Sequence, residues 1–194
     1  MGGIAYMDDA LGTLFREMRA RGVLDQTLVI VASDHGEAFG EHTLHGHGNS
    51  LYRPELHVPL VVRYPARVAA GTRVSAPVTL RDLAATALDA GGAAPGSHPI
   101  PGASWLALLH RGAAGSAVVS EVSAGVNTEP SHPVSRGAMK SLITDSAHYI
   151  RNGDAVEEVY HWTVDPAESR DVAKTALGPS VISLLRAALA SALR

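Results

Sequence analysis

The run Thr27-Leu-Val-Ile-Val-Ala-Ser33 constrains the fold more than any other stretch of this chain. It is apolar without alternation and rich in β-branched residues, the pattern of a strand buried on both faces. Upstream, Ile4, Met7, Leu11, Leu14, Phe15 and Met18 recur at steps of three and four and place one apolar stripe on a helix. Gly22 is positioned to stop that helix, because glycine accepts the left-handed conformation that follows a last turn. A helix, a short loop and a doubly buried strand together predict a parallel α/β sheet.

The rest of the chain adds a second strand at Val58–Tyr64 and a turn region at Pro65–Arg73. Thr79-Leu-Arg-Asp82 has the form of a capping box that opens a helix through about Ala90, with Leu80, Leu83, Ala84, Ala87 and Leu88 on one side. Gly91–Gly102 reads as a Gly/Pro-rich surface loop and Trp105–Leu109 as a short helix. Ala117–Val122, Met139–Thr144, Tyr149–Asn152 and Val156–Trp162 read as short strands of an antiparallel sheet. Pro179 suits a helix start, and Val181, Leu184, Leu185, Ala188, Leu189 and Ala192 make the terminal helix amphipathic. Val122–Arg136 carries the weakest pattern.

Bulk properties narrow the function. With 194 residues and 46% hydrophobic composition, the chain can bury a core. A formal net charge of -3 without clustered Lys and Arg argues against nucleic acid as a partner. The absence of cysteine excludes disulfides, thiolate metal sites and a cysteine nucleophile within these residues. No signal-peptide pattern opens the sequence. No apolar run approaches the roughly 20 residues of a membrane span, so a soluble chain is expected.

Chemistry concentrates in Ser33-Asp-His-Gly-Glu-Ala-Phe-Gly-Glu-His-Thr-Leu-His-Gly-His-Gly-Asn-Ser-Leu-Tyr52. Ligands of open α/β sheets bind beyond the carboxyl ends of strands, and Asp34 and His35 stand at such an end. Adjacent carboxylate and imidazole groups can ligate one divalent cation. Gly36 lets the backbone turn and approach closely. His42, His45 and His47 follow on a loop short enough to fold back, where a histidine can contact an anionic oxygen or act as general acid. An Asp-His pair after a strand is by itself an ordinary turn. Four histidines with Asp34, Glu37 and Glu41 inside 14 positions point to metal or anion binding.

Ser-Asp-His-Gly-Glu, followed by Gly-Glu-His, Gly-His-Gly, Leu-Tyr and Val-Pro-Leu, resembles the C-terminal signature of bacterial sulfatases, and related phosphonate and phosphodiester hydrolases share much of it. Upstream, Tyr6, Asp8 or Asp9, Leu11-Gly12 and Leu24-Asp25-Gln26-Thr27 fit the preceding helix and strand. Downstream, Ala76-Pro-Val, Leu80-Arg-Asp-Leu83 and Tyr160–Ala173, with Asp165-Pro166 and Glu168, resemble later landmarks. The resemblance implies a truncated alkaline-phosphatase-like parallel sheet, a small C-terminal antiparallel sheet and a terminal helix. It divides the chain into residues 1–112, part of the catalytic α/β domain, and 113–194, a small α+β subdomain.

The same resemblance assigns Asp34 and His35 as the second pair of ligands to a divalent cation, calcium first, with magnesium and manganese as the other members. His47 matches the position that contacts sulfate or phosphate oxygens. His42 matches a loop residue near the pocket with a less defined catalytic part, and His45 a variable position. A sulfate- or phosphate-ester substrate is implied. The family's first two ligating acids and its nucleophile motif (Cys or Ser, then x-Pro-x-Arg) are not in these residues. Ser131-His-Pro-Val-Ser-Arg136 places its arginine one residue late and follows the metal loop, the reverse of the family order. Two ligands leave a hard cation largely solvated, since such ions take about six or more oxygens. The expectation is negligible activity and weak metal affinity for the chain alone, with a separately encoded N-terminal half as a partner or a non-catalytic remnant as the alternative.

Overall fold

The computed structural model describes residues 2–94, 99–111, 117–126 and 128–194. The expected subdomain boundary between residues 112 and 113 lies outside the described residues, as do positions 95–98 of the Gly91–Gly102 loop.

The first helix, α1 (Gly2–Ala20), follows the predicted stripe and ends as expected. Gly22 has φ 69°, its N–H donates to Arg19 O, and the Val23 N–H donates to Met18 O (both 3.0 Å). Those two bonds are a Schellman stop. The helix buries none of its residues, and Ile4, Tyr6, Met7 and Leu14 lie exposed along it.

Strand β1 (Val29–Ala32) occupies the centre of the predicted run, and β4 (Leu60–Arg63) that of the second. The two pair antiparallel, Val29 opposite Arg63 and Ala32 opposite Leu60, which corrects the parallel pairing expected for this sheet. The physical reason is the connection. A parallel return needs a crossover over the sheet, usually through a helix. Between these strands lie only a two-residue ribbon, β2 (Ala38–Phe39) with β3 (His45–Gly46), and the single turn α2 (Arg53–Leu56). Arg63 fastens the sheet to the preceding turn by donating to Leu24 O (2.7 Å) and pairing with Asp25.

Thr79 caps a one-turn 3-10 segment by accepting from the Arg81 N–H (3.3 Å), and α3 (Leu83–Ala90) continues from it. Asp82 does not complete the expected box. Its carboxylate accepts from the Ala103 N–H (2.8 Å). Thr86, outside the predicted apolar side, is the buried residue of α3 and accepts from the Trp105 N–H (2.9 Å), joining α3 to α4 (Trp105–Arg111).

Strands β5 (Val118–Val122), β6 (Met139–Ile143), β7 (His148–Arg151) and β8 (Glu157–Tyr160) form the expected antiparallel sheet, in chain order. Alternation gives it two covered faces. On one, Met139, Ile150 and Tyr160 pack with Val134 and with Ala38, Leu44, Leu51 and Tyr52 of the histidine-rich loop. On the other, Leu142, Tyr149 and Val159 pack with Leu185 and Leu189 of α5 (Gly178–Ala192). Leu184, expected in that stripe, is 72% exposed, and Ile182 packs inward in its place. Among the described residues no helix is long and apolar enough to cross a membrane.

The packing makes an unequal pair of expectations for α5. Leu189→Ala should lower unfolding stability by about 2–5 kcal/mol, whereas Leu184→Ala should change it by less than about 0.5 kcal/mol. Urea denaturation of both variants measures the contrast.

Candidate functional site

Beyond β1 the backbone is folded by its own side chains. Ser33 Oγ donates to His35 O (2.7 Å), and the His35 N–H donates to Asp34 Oδ1 (3.1 Å). Gly36 then passes under α2, its N–H donating to Glu55 O (2.8 Å). A Cβ at Gly36 would stand 1.9 Å from Pro54 O, so only glycine fits. Glu55, itself buried, accepts from Ser50 Oγ (2.5 Å) and the Asn49 N–H (3.1 Å), which draws the far end of the loop to the same turn.

The ribbon sets the next contact. Ala38 pairs with Gly46 and Phe39 with His45, so Glu37 and His47 emerge side by side. His47 Nδ1–H donates to Glu37 Oε2 (3.0 Å), and the His47 ring stacks on His35 with centroids 4.2 Å apart. His35 Nδ1–H donates to Gly36 O (2.9 Å), and its Nε2 stands 3.8 Å from Asp34 Oδ2. The structure thus brings Asp34, His35 and His47 together at the strand end.

Electrostatics act on the two groups in opposite senses, favouring the ligating form of Asp34 and the protonated form of His35. The Asp34 side chain is 88% exposed, and the backbone N–H groups of Asp34 and His35 hold its carboxyl below the usual range. The bond to Gly36 O raises the His35 pKa and commits Nδ1 as donor, leaving Nε2 with its lone pair in the neutral ring. A carboxylate and a free Nε2 at this separation fit one divalent cation. Asp34 and His35, with Arg53, Glu55, Leu106 and Ile143, help line a cavity of about 1230 Å³ whose walls are largely apolar.

His42 keeps different company. With φ 52° it turns inward, stacks on Tyr52 (3.7 Å, 3°) and stands edge-on to Tyr160. Its Nε2 is 3.6 Å from Glu168 Oε2, an ion-pair distance without a hydrogen bond. Glu168 is buried and also accepts from His148 Nδ1 (2.5 Å) and the Arg53 N–H (2.8 Å). Burial pushes its carboxyl up, but the His148 and His42 contacts and the Arg53 N–H outweigh that and leave it at about 2. His45 is exposed on the ribbon.

Sequence reasoning counted Glu37 among the acids without giving it a part, and met Glu168 only as a landmark. The ribbon register identifies the first, and its only trace in the sequence is the glycine and histidine spacing. Nothing local marks the second.

A family model described as Sulfatase matches residues 1–93. The chain is 36% identical to arylsulfatase K of Danio rerio over 107 residues, 55% of this chain and 20% of that protein. It superposes with a TM-score of 0.83 and 25% identity on a protein solved with its substrate D-glucosamine-2-N,6-O-disulfate, over 97% of this chain and 38% of that one. The phosphonate monoester hydrolase of Agrobacterium radiobacter gives 0.80 at 25% identity, over 97% and 39%. The chain therefore spans a fifth of that curated relative and under two fifths of those structures.

Gly36→Ala should separate β1 from α2 and cost more than about 1 kcal/mol of stability through backbone displacement, read by thermal unfolding. Glu168 has a depressed folded pKa, so its stabilisation is complete above its ordinary value of 4.5 and is lost as pH falls toward 2. Other depressed carboxyls share that window. The slope of unfolding free energy against pH between those limits should therefore flatten, without vanishing, in Glu168→Gln.

Proposed function

As the chain belongs to the sulfatase and alkaline-phosphatase superfamily, we propose that it supplies the cation-binding and oxyanion-binding part of a sulfuric ester hydrolase. The convergence of Asp34, His35 and His47 at the end of β1 carries this reading. Asp34 and His35 would hold the cation, with calcium first and magnesium or manganese as alternatives. When bound, such an ion polarises the ester oxygens and offsets their developing charge. His47, oriented by Glu37, would as an imidazolium donate its Nε2–H to an anionic oxygen of the substrate. His42 supports the loop from within by its stacking on Tyr52.

A phosphonate or phosphodiester is the second reading. It is favoured by the likeness to the Agrobacterium enzyme, and by a donor set that meets tetrahedral oxyanions of either centre equally.

Two protein ligands satisfy a hard divalent ion poorly. The uncovered apolar face of α1 and the exposed Val61 of β4 also call for a covering partner. We infer that the remaining ligands, the nucleophile and that cover come from a further catalytic segment, encoded with this chain or separately. A non-catalytic remnant would have no need of it.

The chain alone should therefore show negligible turnover of a nitrophenyl sulfate or a nitrophenyl phosphonate ester with added calcium or manganese. The further catalytic segment, whether encoded in the same gene or in a separate one, should contain an acid pair and a Cys/Ser-x-Pro-x-Arg motif. Co-expression of that segment should give turnover that falls by about 100-fold or more in Asp34→Ala or His47→Ala. Turnover by the chain alone that disappears in Asp34→Ala would refute the need for a second segment. Co-expression that yields turnover indifferent to both substitutions would refute the site.

A further inference from the structure

His35, Glu37 and His47 present a donor set of two imidazoles and a carboxylate. One ligand atom from each lies within 4.8 Å of the other two. That composition suits borderline divalent ions of the zinc class, which take imidazole and carboxylate ligands in four-coordinate sites, rather than calcium, which prefers an all-oxygen shell. We propose that these three residues form a binding site for a zinc-class transition-metal ion on this chain.

The hydrogen bond of His35 is that of a metal-bound histidine. A ligating histidine commonly donates its second ring N–H to a carboxylate or backbone carbonyl, which fixes the tautomer and the ring plane. His35 does so here, its Nδ1–H committed to Gly36 O at 2.9 Å, which leaves Nε2 with its lone pair free in the neutral ring. His47 Nδ1 and Glu37 Oε2 face each other at 3.0 Å, so an ion held by both takes the place of the proton they share.

Rigidity comes from the backbone. The ribbon pairs Ala38 with Gly46, so Glu37 and His47 are adjacent by register rather than by chance rotamers. Glu41 closes the ribbon by accepting from the Phe39 N–H (2.7 Å). Asn49 Nδ2 donates to His45 O (3.0 Å) and holds the return strand. The three side chains are partly open to solvent, so an ion can enter without prior unfolding.

The site shares His35 with the cation reading above but does not rest on it, because Asp34 is outside the donor set. The two compete. Zinc between His47 Nδ1 and Glu37 would remove the hydrogen bond that orients the His47 ring toward a substrate oxygen.

The test is isothermal titration of the full 194-residue chain with zinc chloride, with cobalt(II) absorption as the second readout. One ion per chain and the visible bands of a four-coordinate cobalt site are expected. His47→Gln and Glu37→Gln should each weaken zinc binding by about tenfold or more and remove the cobalt bands. His45→Gln, on the same ribbon but outside the cluster, and Asp34→Asn should leave both unchanged, and excess calcium should not displace zinc. The substituted side chains are solvent-accessible, so circular dichroism should show each variant folded.

Absence of binding would overturn the proposal, as would binding that survives in both Glu37→Gln and His47→Gln. Loss of zinc in Asp34→Asn would also overturn it, by moving the ion to the other pair. Zinc bound as expected, together with hydrolysis indifferent to Asp34, would leave this site standing and remove the cation reading instead.

Discussion

One buried carboxylate joins the two halves of this molecule. Glu168 has no solvent to compensate its charge, and an ion in that state is tolerated only when hydrogen bonds and opposite charge surround it. Its partners come from far apart in the chain: the Arg53 N–H at the start of α2, the His148 ring on β7, and the His42 ring on the ribbon turn. The Arg53 and His42 contacts cross from the C-terminal half to the histidine-rich loop and the turn after it, and the His148 contact ties Glu168 to the sheet. The position of the loop, and with it the direction in which Asp34 and His35 face, depends on that junction.

A second carboxylate extends the junction. Glu158 accepts from Tyr52 Oη (3.0 Å), Tyr160 Oη (2.5 Å) and Asn152 Nδ2 (2.6 Å), so the aromatic pair beneath His42 is fixed at its polar ends. Desolvation and Glu158 raise the Tyr52 and Tyr160 pKa values, so both phenols remain donors across the working pH range. The sheet thus divides its work by face. One face carries the loop through apolar packing pinned by these polar contacts, and the other carries α5 through Leu185, Leu189 and Ile182, which need only shape and apolarity.

The sequence made the elements legible because their signals are local. β1 lies inside Thr27–Ser33, the four C-terminal strands fall within a few residues of their expected positions, and Pro179 marks the start of α5. What remained illegible depends on partners distant in the chain. The pairing sense of β1 and β4 follows from the connection, which residue composition does not encode. Leu184 and Ile182 exchange places because the sheet, not the helix period, decides which stripe is covered. At the candidate site, Asp34, His35 and His47 stand out in the sequence by type and spacing, and their expected roles come from the family resemblance. Glu37 required the register of a two-residue ribbon, and the inward turn of His42 required a left-handed residue that is not glycine.

The bare helix α1 sets how stability is distributed along the chain. Cooperative units of a protein open at free energies that track their buried contacts. With no residue of its own buried, α1 is joined to the rest mainly by the turn at Leu24 and the Arg63 clasp, whereas β6 and β7 are enclosed on both faces. Amide exchange in this chain should therefore be graded, rapid along the first helix and slowest in the centre of the four-stranded sheet. Thermal unravelling is expected to begin at α1 before the sheet yields.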